Sequence, residues 1–103
     1  MLKVATVQFN HAPGDKEYNF GRIEKFTNEA ADAGVKILVF PEMCITGYWH
    51  VRNLIRDEIV SLSESVPDGP SSQRLLRLAR EHDMLIGAGF IEQNAEGGLF
   101  NTY

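Results

Sequence analysis

A chain of 103 residues, 44% of them apolar, fits one small globular domain or a piece of a larger one. Its net charge of -4 and isoelectric point near 5.3 argue against nucleic-acid binding, which needs a basic face. Its apolar runs, such as Ile37-Leu38-Val39-Phe40, fall far short of the roughly 20 residues that span a bilayer.

From the N-terminus, residues 2–9 are apolar and β-branched on both faces, which predicts a strand covered on both sides. Ala12-Pro13-Gly14-Asp15 breaks it, with Asp15 placed to cap a helix. Over residues 16–33 the apolar positions Ile23, Phe26, Ala30 and Ala33 recur at helical spacing, and Gly34 stands where a C-terminal cap belongs. Residues 35–40 form a second, almost wholly apolar strand that Pro41 ends. The unit is β-α-β, so these strands should be parallel with a right-handed crossover.

Residues 43–49 read as a loop turning at Thr46-Gly47. Val51, Leu54, Ile55, Ile59 and Leu62 then line one side of a second helix, and Pro67-Asp68-Gly69-Pro70 ends it. Ser71 or Ser72 should cap a third helix, whose apolar stripe is Leu75, Leu76, Leu78 and Ala79. Residues 84–92 predict a third strand, and residues 99–103 a fourth that pairs back as a hairpin. The expected order is therefore β-α-β-α-α-β-β. Phe100 and Tyr103 would sit on an unfinished sheet edge, which favours truncation within a single larger domain over a short terminal edge strand.

Val39-Phe40-Pro41-Glu42-Met43 puts a carboxylate at the C-terminal end of a buried parallel strand, where ligands bind in open α/β sheets. Burial at such a place disfavours ionisation, which suits a general base. The competing reading is a glutamate that caps the loop or pairs with an arginine such as Arg52. Cys44 has no histidine at a spacing that names a base partner, and a phosphatase-type loop would need arginine where His50 stands. It reads as a packed free thiol. Gly87-Ala88-Gly89 fails as a dinucleotide fingerprint, because Glu92 holds the third glycine position; these glycines should instead permit close packing. His11, His50 and His82 lack the spacing of a zinc site. No cofactor and no metal are expected.

The run Phe40-Pro41-Glu42 followed by Thr46-Gly47-Tyr48 resembles the signature around the catalytic glutamate of the nitrilase superfamily of carbon–nitrogen hydrolases. The opening strand Lys3-Val4-Ala5-Thr6-Val7-Gln8-Phe9, Asn19, Ala33-Gly34, Pro67-Asp68-Gly69-Pro70 and Phe100-Asn101-Thr102 are similar to further segments of that family, in the same order. The resemblance implies the N-terminal portion, residues 1–103, of an α-β-β-α sandwich. It also implies a reaction using glutamate, lysine and cysteine, assisted by a second glutamate, on an amide, an N-carbamoyl amine or a nitrile. Glu42 would be the general base, and the lysine would stabilise charge on the substrate. Tyr48 would shape the substrate pocket, the other reading being packing against the second helix. The lysine, the second glutamate and the cysteine lie beyond residue 103 in the family's pattern, so the 103-residue chain is expected to be inactive alone. Family members pair as homodimers or larger assemblies, which is the expected state of the full-length protein.

Two other readings stay open from the residues alone. One is a self-contained α/β binding or interaction module; the other is an inactive relative that uses the fold for assembly. A single cysteine and the absence of a signal-peptide layout after Met1 point to the cytoplasm.

Overall fold

The first β-α-β unit forms as the sequence predicts. In the computed structural model, which describes residues 1–103, β1 (Val4–Thr6), α1 (Lys16–Asp32) and β2 (Ile37–Val39) follow one another, and β1 pairs with β2 in parallel. Next come a 3-10 helix (Trp49–Asn53), α2 (Arg56–Leu62), α3 (Pro70–His82), β3 (Leu85–Gly87), β4 (Phe90–Gln93) and β5 (Leu99–Thr102). β3 joins β2 in parallel on its other side, giving the order β1-β2-β3, while β4 and β5 form a separate antiparallel hairpin. No helix is long and apolar enough to cross a membrane.

Helix α1 starts where Asp15 accepts the Tyr18 N–H at 3.0 Å. It ends at Gly34, whose φ of +80° is open to glycine at little cost. Its buried positions Phe20, Ile23, Thr27 and Ala30 recur at intervals of three and four, so they make one stripe. That stripe meets Leu38 of β2 and Leu78 of α3 in the core. Ile23 and Leu38 are almost fully enclosed, and burial of each side chain contributes about 1.5–3 kcal/mol.

Only one face of the parallel sheet is covered. Ala5, Leu38 and Ile86 stand side by side in register and pack into the core beneath the helices. In the next row Val4, Ile37 and Leu85 align, and Val4 is 60% and Leu85 68% exposed. The expectation that the first strand is covered on both sides is therefore wrong for these residues. Its apolar pattern is symmetric, but α1 and α3 lie on the same side of the sheet.

Three further expectations are corrected. The second helix divides: Leu54 and Ile55 are extended, and the Glu58 carboxylate accepts the Ile55 N–H at 3.2 Å, which starts α2 afresh. The strand expected over residues 84–92 divides at Ala88-Gly89 into β3 and β4, which serve different sheets. Neither Ser71 nor Ser72 is the cap of α3. Gly69 holds that position with Pro70 first in the helix, and a distant carboxylate satisfies the exposed donors instead. Glu64 Oε1 accepts the Ser71 N–H at 2.7 Å, and Oε2 accepts the Ser71 hydroxyl at 2.6 Å and the Lys16 ammonium at 2.7 Å.

Glu64 thus ties α1, the chain before α3 and the start of α3 to one another. Its side chain is only 7% exposed. Burial would push its carboxyl up, but the hydrogen bonds from Lys16 and from the Ser71 side chain and backbone outweigh it and hold the carboxyl below the usual glutamate value. A depressed carboxylate lends stability that is present above the ordinary glutamate value of about 4.3 and lost as pH falls through the lower folded value. Glu64→Gln should cost about 2–3 kcal/mol in urea unfolding at pH 7, with the difference shrinking toward pH 3. A difference that is constant with pH would contradict this account.

Candidate active site

Strand β2 delivers its chain into a loop whose main chain is buried while one side chain points out. Phe40 N–H still bonds Gly87 O at 2.8 Å, so the sheet holds the chain up to Pro41. Met43, Cys44, Ile45 and Thr46 are then buried in succession. Met43 has φ +56°, a left-handed conformation that costs a non-glycine residue about 1 kcal/mol or more. Such a residue persists only where its surroundings over-determine it. Here Gly47 N–H bonds Met43 O at 2.8 Å, Gly14 N–H bonds Thr46 O at 2.9 Å, and Ile45 N–H bonds Gly89 O at 3.0 Å.

Asn19, wholly enclosed on α1, locks the same loop. Its side-chain amide donates to Ala12 O and Ile45 O, each at 2.9 Å, and its Oδ1 accepts the Ala12 N–H at 2.7 Å. One amide therefore joins main-chain groups of two loops, and it supplies the donor for the buried Ile45 carbonyl.

Glu42 stands on this loop, at the C-terminal end of β2 as expected, but exposed. The expectation of burial is corrected: the residues after it turn inward, and the left-handed Met43 leaves the carboxylate outside. It does not pair with Arg52, whose guanidinium lies over the Trp49 ring. Its partner is Asn101 on β5, whose side-chain N–H donates to Glu42 Oε1. Asn101 is the site residue that sequence reasoning missed. The signal was present in the Phe100-Asn101-Thr102 segment, but nothing local ties it to a carboxylate 59 positions earlier.

Close packing brings the two together. A Cβ on Gly89 would lie 2.5 Å from Met43 N, so only glycine lets β4 start against the Glu42 loop. At the other end of the hairpin, Tyr103 hydroxyl donates to Phe40 O at 2.8 Å, and its ring covers Gly87, where a Cβ would lie 2.6 Å from it. The reading of these glycines as packing positions holds. On the Asn101 side of the pair opens a hollow of about 220 Å³, lined by Met43, Val51, Ile59, Ile91, Leu99 and Asn101 among others but not by Glu42. Its walls are mostly apolar.

Tyr48 does not join this pair. It precedes the 3-10 helix and sets its ring edge against Trp49, with centroids 5.2 Å apart. Cys44 is fully buried, and burial pushes its thiol up although a backbone hydrogen bond with Gly89 pulls the other way. A thiol held protonated is a poor nucleophile, in keeping with its reading as a packed residue. His11 and His50 come within electrostatic reach of each other. Burial first, and then the charge of His50, lower the His11 imidazole below its ordinary value. No group of three or more His, Cys, Asp or Glu side chains is arranged to hold a metal ion.

The chain belongs to the carbon–nitrogen hydrolase family, whose model matches residues 3–103. It is 31% identical over 102 residues to a nitrilase of Pyrococcus abyssi, covering 99% of this chain and 37% of that one. It is 30% identical over 101 residues to the omega-amidase of Xenopus tropicalis, covering 98% and 34%. The fold matches the crystal structure of an N-terminal amidase with a TM-score of 0.79 at 24% identity, covering 97% of this chain and 24% of that one. It also matches Saccharomyces cerevisiae Nit3, of the nitrilase superfamily, with a TM-score of 0.78 at 23% identity, covering 97% and 37%. The chain spans about a third of the length of these curated relatives.

Asn19→Ala should lower stability by about 1–3 kcal/mol in denaturant unfolding, because it leaves the buried Ile45 carbonyl without its donor. A loss within about 0.5 kcal/mol, the usual range for surface substitutions, would show that Asn19 does not hold the loop.

Proposed function

We propose that this chain supplies the general base of a carbon–nitrogen hydrolase acting on a non-peptide C–N bond, with an amide or N-carbamoyl amine as substrate and a nitrile as a further choice. The observation that carries the reading is Glu42 itself. It is an outward-pointing carboxylate on a rigid, inward-packed loop at the C-terminal end of a central parallel strand, within a chain of this family. A base needs a fixed position more than it needs depth, since proton transfer requires the heavy atoms within about 3 Å. The left-handed Met43 and the Asn19 clamp supply that fixity.

In the reaction the Glu42 carboxylate takes the proton of the cysteine thiol that the family's pattern sets beyond residue 103. The thiolate adds to the carbonyl carbon of an amide or N-carbamoyl amine, and the leaving nitrogen departs as ammonia or amine carrying that proton; a nitrile would first give a thioimidate, whose nitrogen leaves as ammonia only after water has added. A water then gives a proton to Glu42 and attacks the thioester; the acid departs and the sulfur takes that proton back from Glu42, which restores both thiol and carboxylate. The family's lysine would offset the charge that develops on the substrate oxygen or nitrogen. The apolar hollow lined by Met43 and Asn101, the neighbour and the partner of Glu42, suits the hydrocarbon part of a small substrate.

The test uses the complete reading frame, assayed for ammonia release from aliphatic amides, N-carbamoyl amines and nitriles. Glu42→Gln should lower kcat by about 10²- to 10⁴-fold with an unchanged fold. Retained turnover in a folded Glu42→Gln protein would overturn the assignment. Cys44→Ala should keep kcat within about threefold of the parent, since its buried thiol is not the attacking group.

A further inference from the structure

We infer that Asn101 is the positioning residue of Glu42, fixing which carboxylate oxygen performs the chemistry; the inference rests on the reading of Glu42 as base. The Asn101 amide donates to Glu42 Oε1, while Oε2 has no donor within the chain and stays open to receive a proton. An exposed glutamate on its own would sample several rotamers, and only some would aim an oxygen at the thiol. One hydrogen bond to Oε1 selects among them and assigns the two oxygens different tasks. A neutral amide suits this better than a cation would, because a lysine or arginine at the same spot would hold the carboxylate charged and weaken it as a base.

The hairpin that carries the donor is itself held in place. Asn101 lies opposite Ile91 in the β4-β5 ladder, and Ile91 is buried. Its neighbour Thr102 donates from its hydroxyl to Glu92 Oε1 at 2.7 Å, across the hairpin. The next residue, Tyr103, is pinned to Phe40 O, two residues before Glu42. At the start of the hairpin, Gly89 presses on Met43 N, one residue after Glu42. The hairpin therefore grips the Glu42 segment on both sides, and the side chain between these grips is the one that reaches the carboxylate.

The experiment compares Asn101→Ala and Asn101→Asp in the complete protein, with Glu42→Gln alongside, on the substrate of the ammonia-release panel that turns over fastest. The expected result for Asn101→Ala is a kcat about 10- to 100-fold lower with a KM changed by less than about threefold and an unchanged melting temperature. Asn101→Asp keeps the shape but replaces the donor with a like charge, so its kcat should fall below that of Asn101→Ala. If Asn101 mattered only for packing, Asn101→Asp would instead be the milder change. Any order in which Asn101→Asp matches or exceeds Asn101→Ala overturns the inference, as does an Asn101→Ala enzyme with the parent's kcat. If those results come with an inactive Glu42→Gln protein, the base assignment survives and only the positioning role falls. An active Glu42→Gln protein, or a complete protein that turns over nothing in the panel, overturns both.

Discussion

A single enclosed amide decides where the loop after β2 can go. Asn19 sits on the buried stripe of α1, where an apolar residue would add packing, and instead bonds the main chain of residues 12 and 45. Breaking them would leave the enclosed Ile45 carbonyl without its donor, which favours the path the loop takes. Along that path Met43 is left-handed, residues 43–46 face the core, and Glu42 faces out. The placement of the proposed base follows from a polar contact on the far side of its own loop.

The hairpin is the second constraint, and it works through contact rather than charge. Gly87 and Gly89 remove side chains where β3 ends and β4 begins, which lets Tyr103 and the Met43 backbone approach to distances that a Cβ would forbid. Glu64 does related work at the start of α3. Its carboxylate replaces a local serine cap and draws α1 toward α3 through Lys16. In each case residues remote in sequence meet because a small residue or a buried polar group leaves no other arrangement. The uncovered row Val4, Ile37 and Leu85 belongs to the same architecture: both helices take one side of the sheet, and the apolar character of the other side goes unused within these residues.

Much of this was legible residue by residue. The stripe of α1, its Asp15 cap, the Gly34 stop and the break at Pro41 are local signals governed by local physics, and each appears where the spacing puts it. Glu42 at the strand end was legible for the same reason, and the ordered likeness to nitrilase segments agrees with the match over residues 3–103. The misreadings have a common cause. Ser71 looked like a cap until a carboxylate seven residues upstream took its place, and residues 84–92 looked like one strand until close contact with the Glu42 loop split them.

By itself the amino-acid order determined α1, the parallel β-α-β start and the position of one carboxylate at a strand end, because periodicity, caps and glycine or proline breaks act within a few residues. Only the tertiary structure decided that Glu42 faces outward, that Asn101 is its partner and that His11 comes within electrostatic reach of His50. Those outcomes depend on which distant backbone groups must be satisfied and on how closely two chains can approach. Neither quantity is written in any short stretch of sequence.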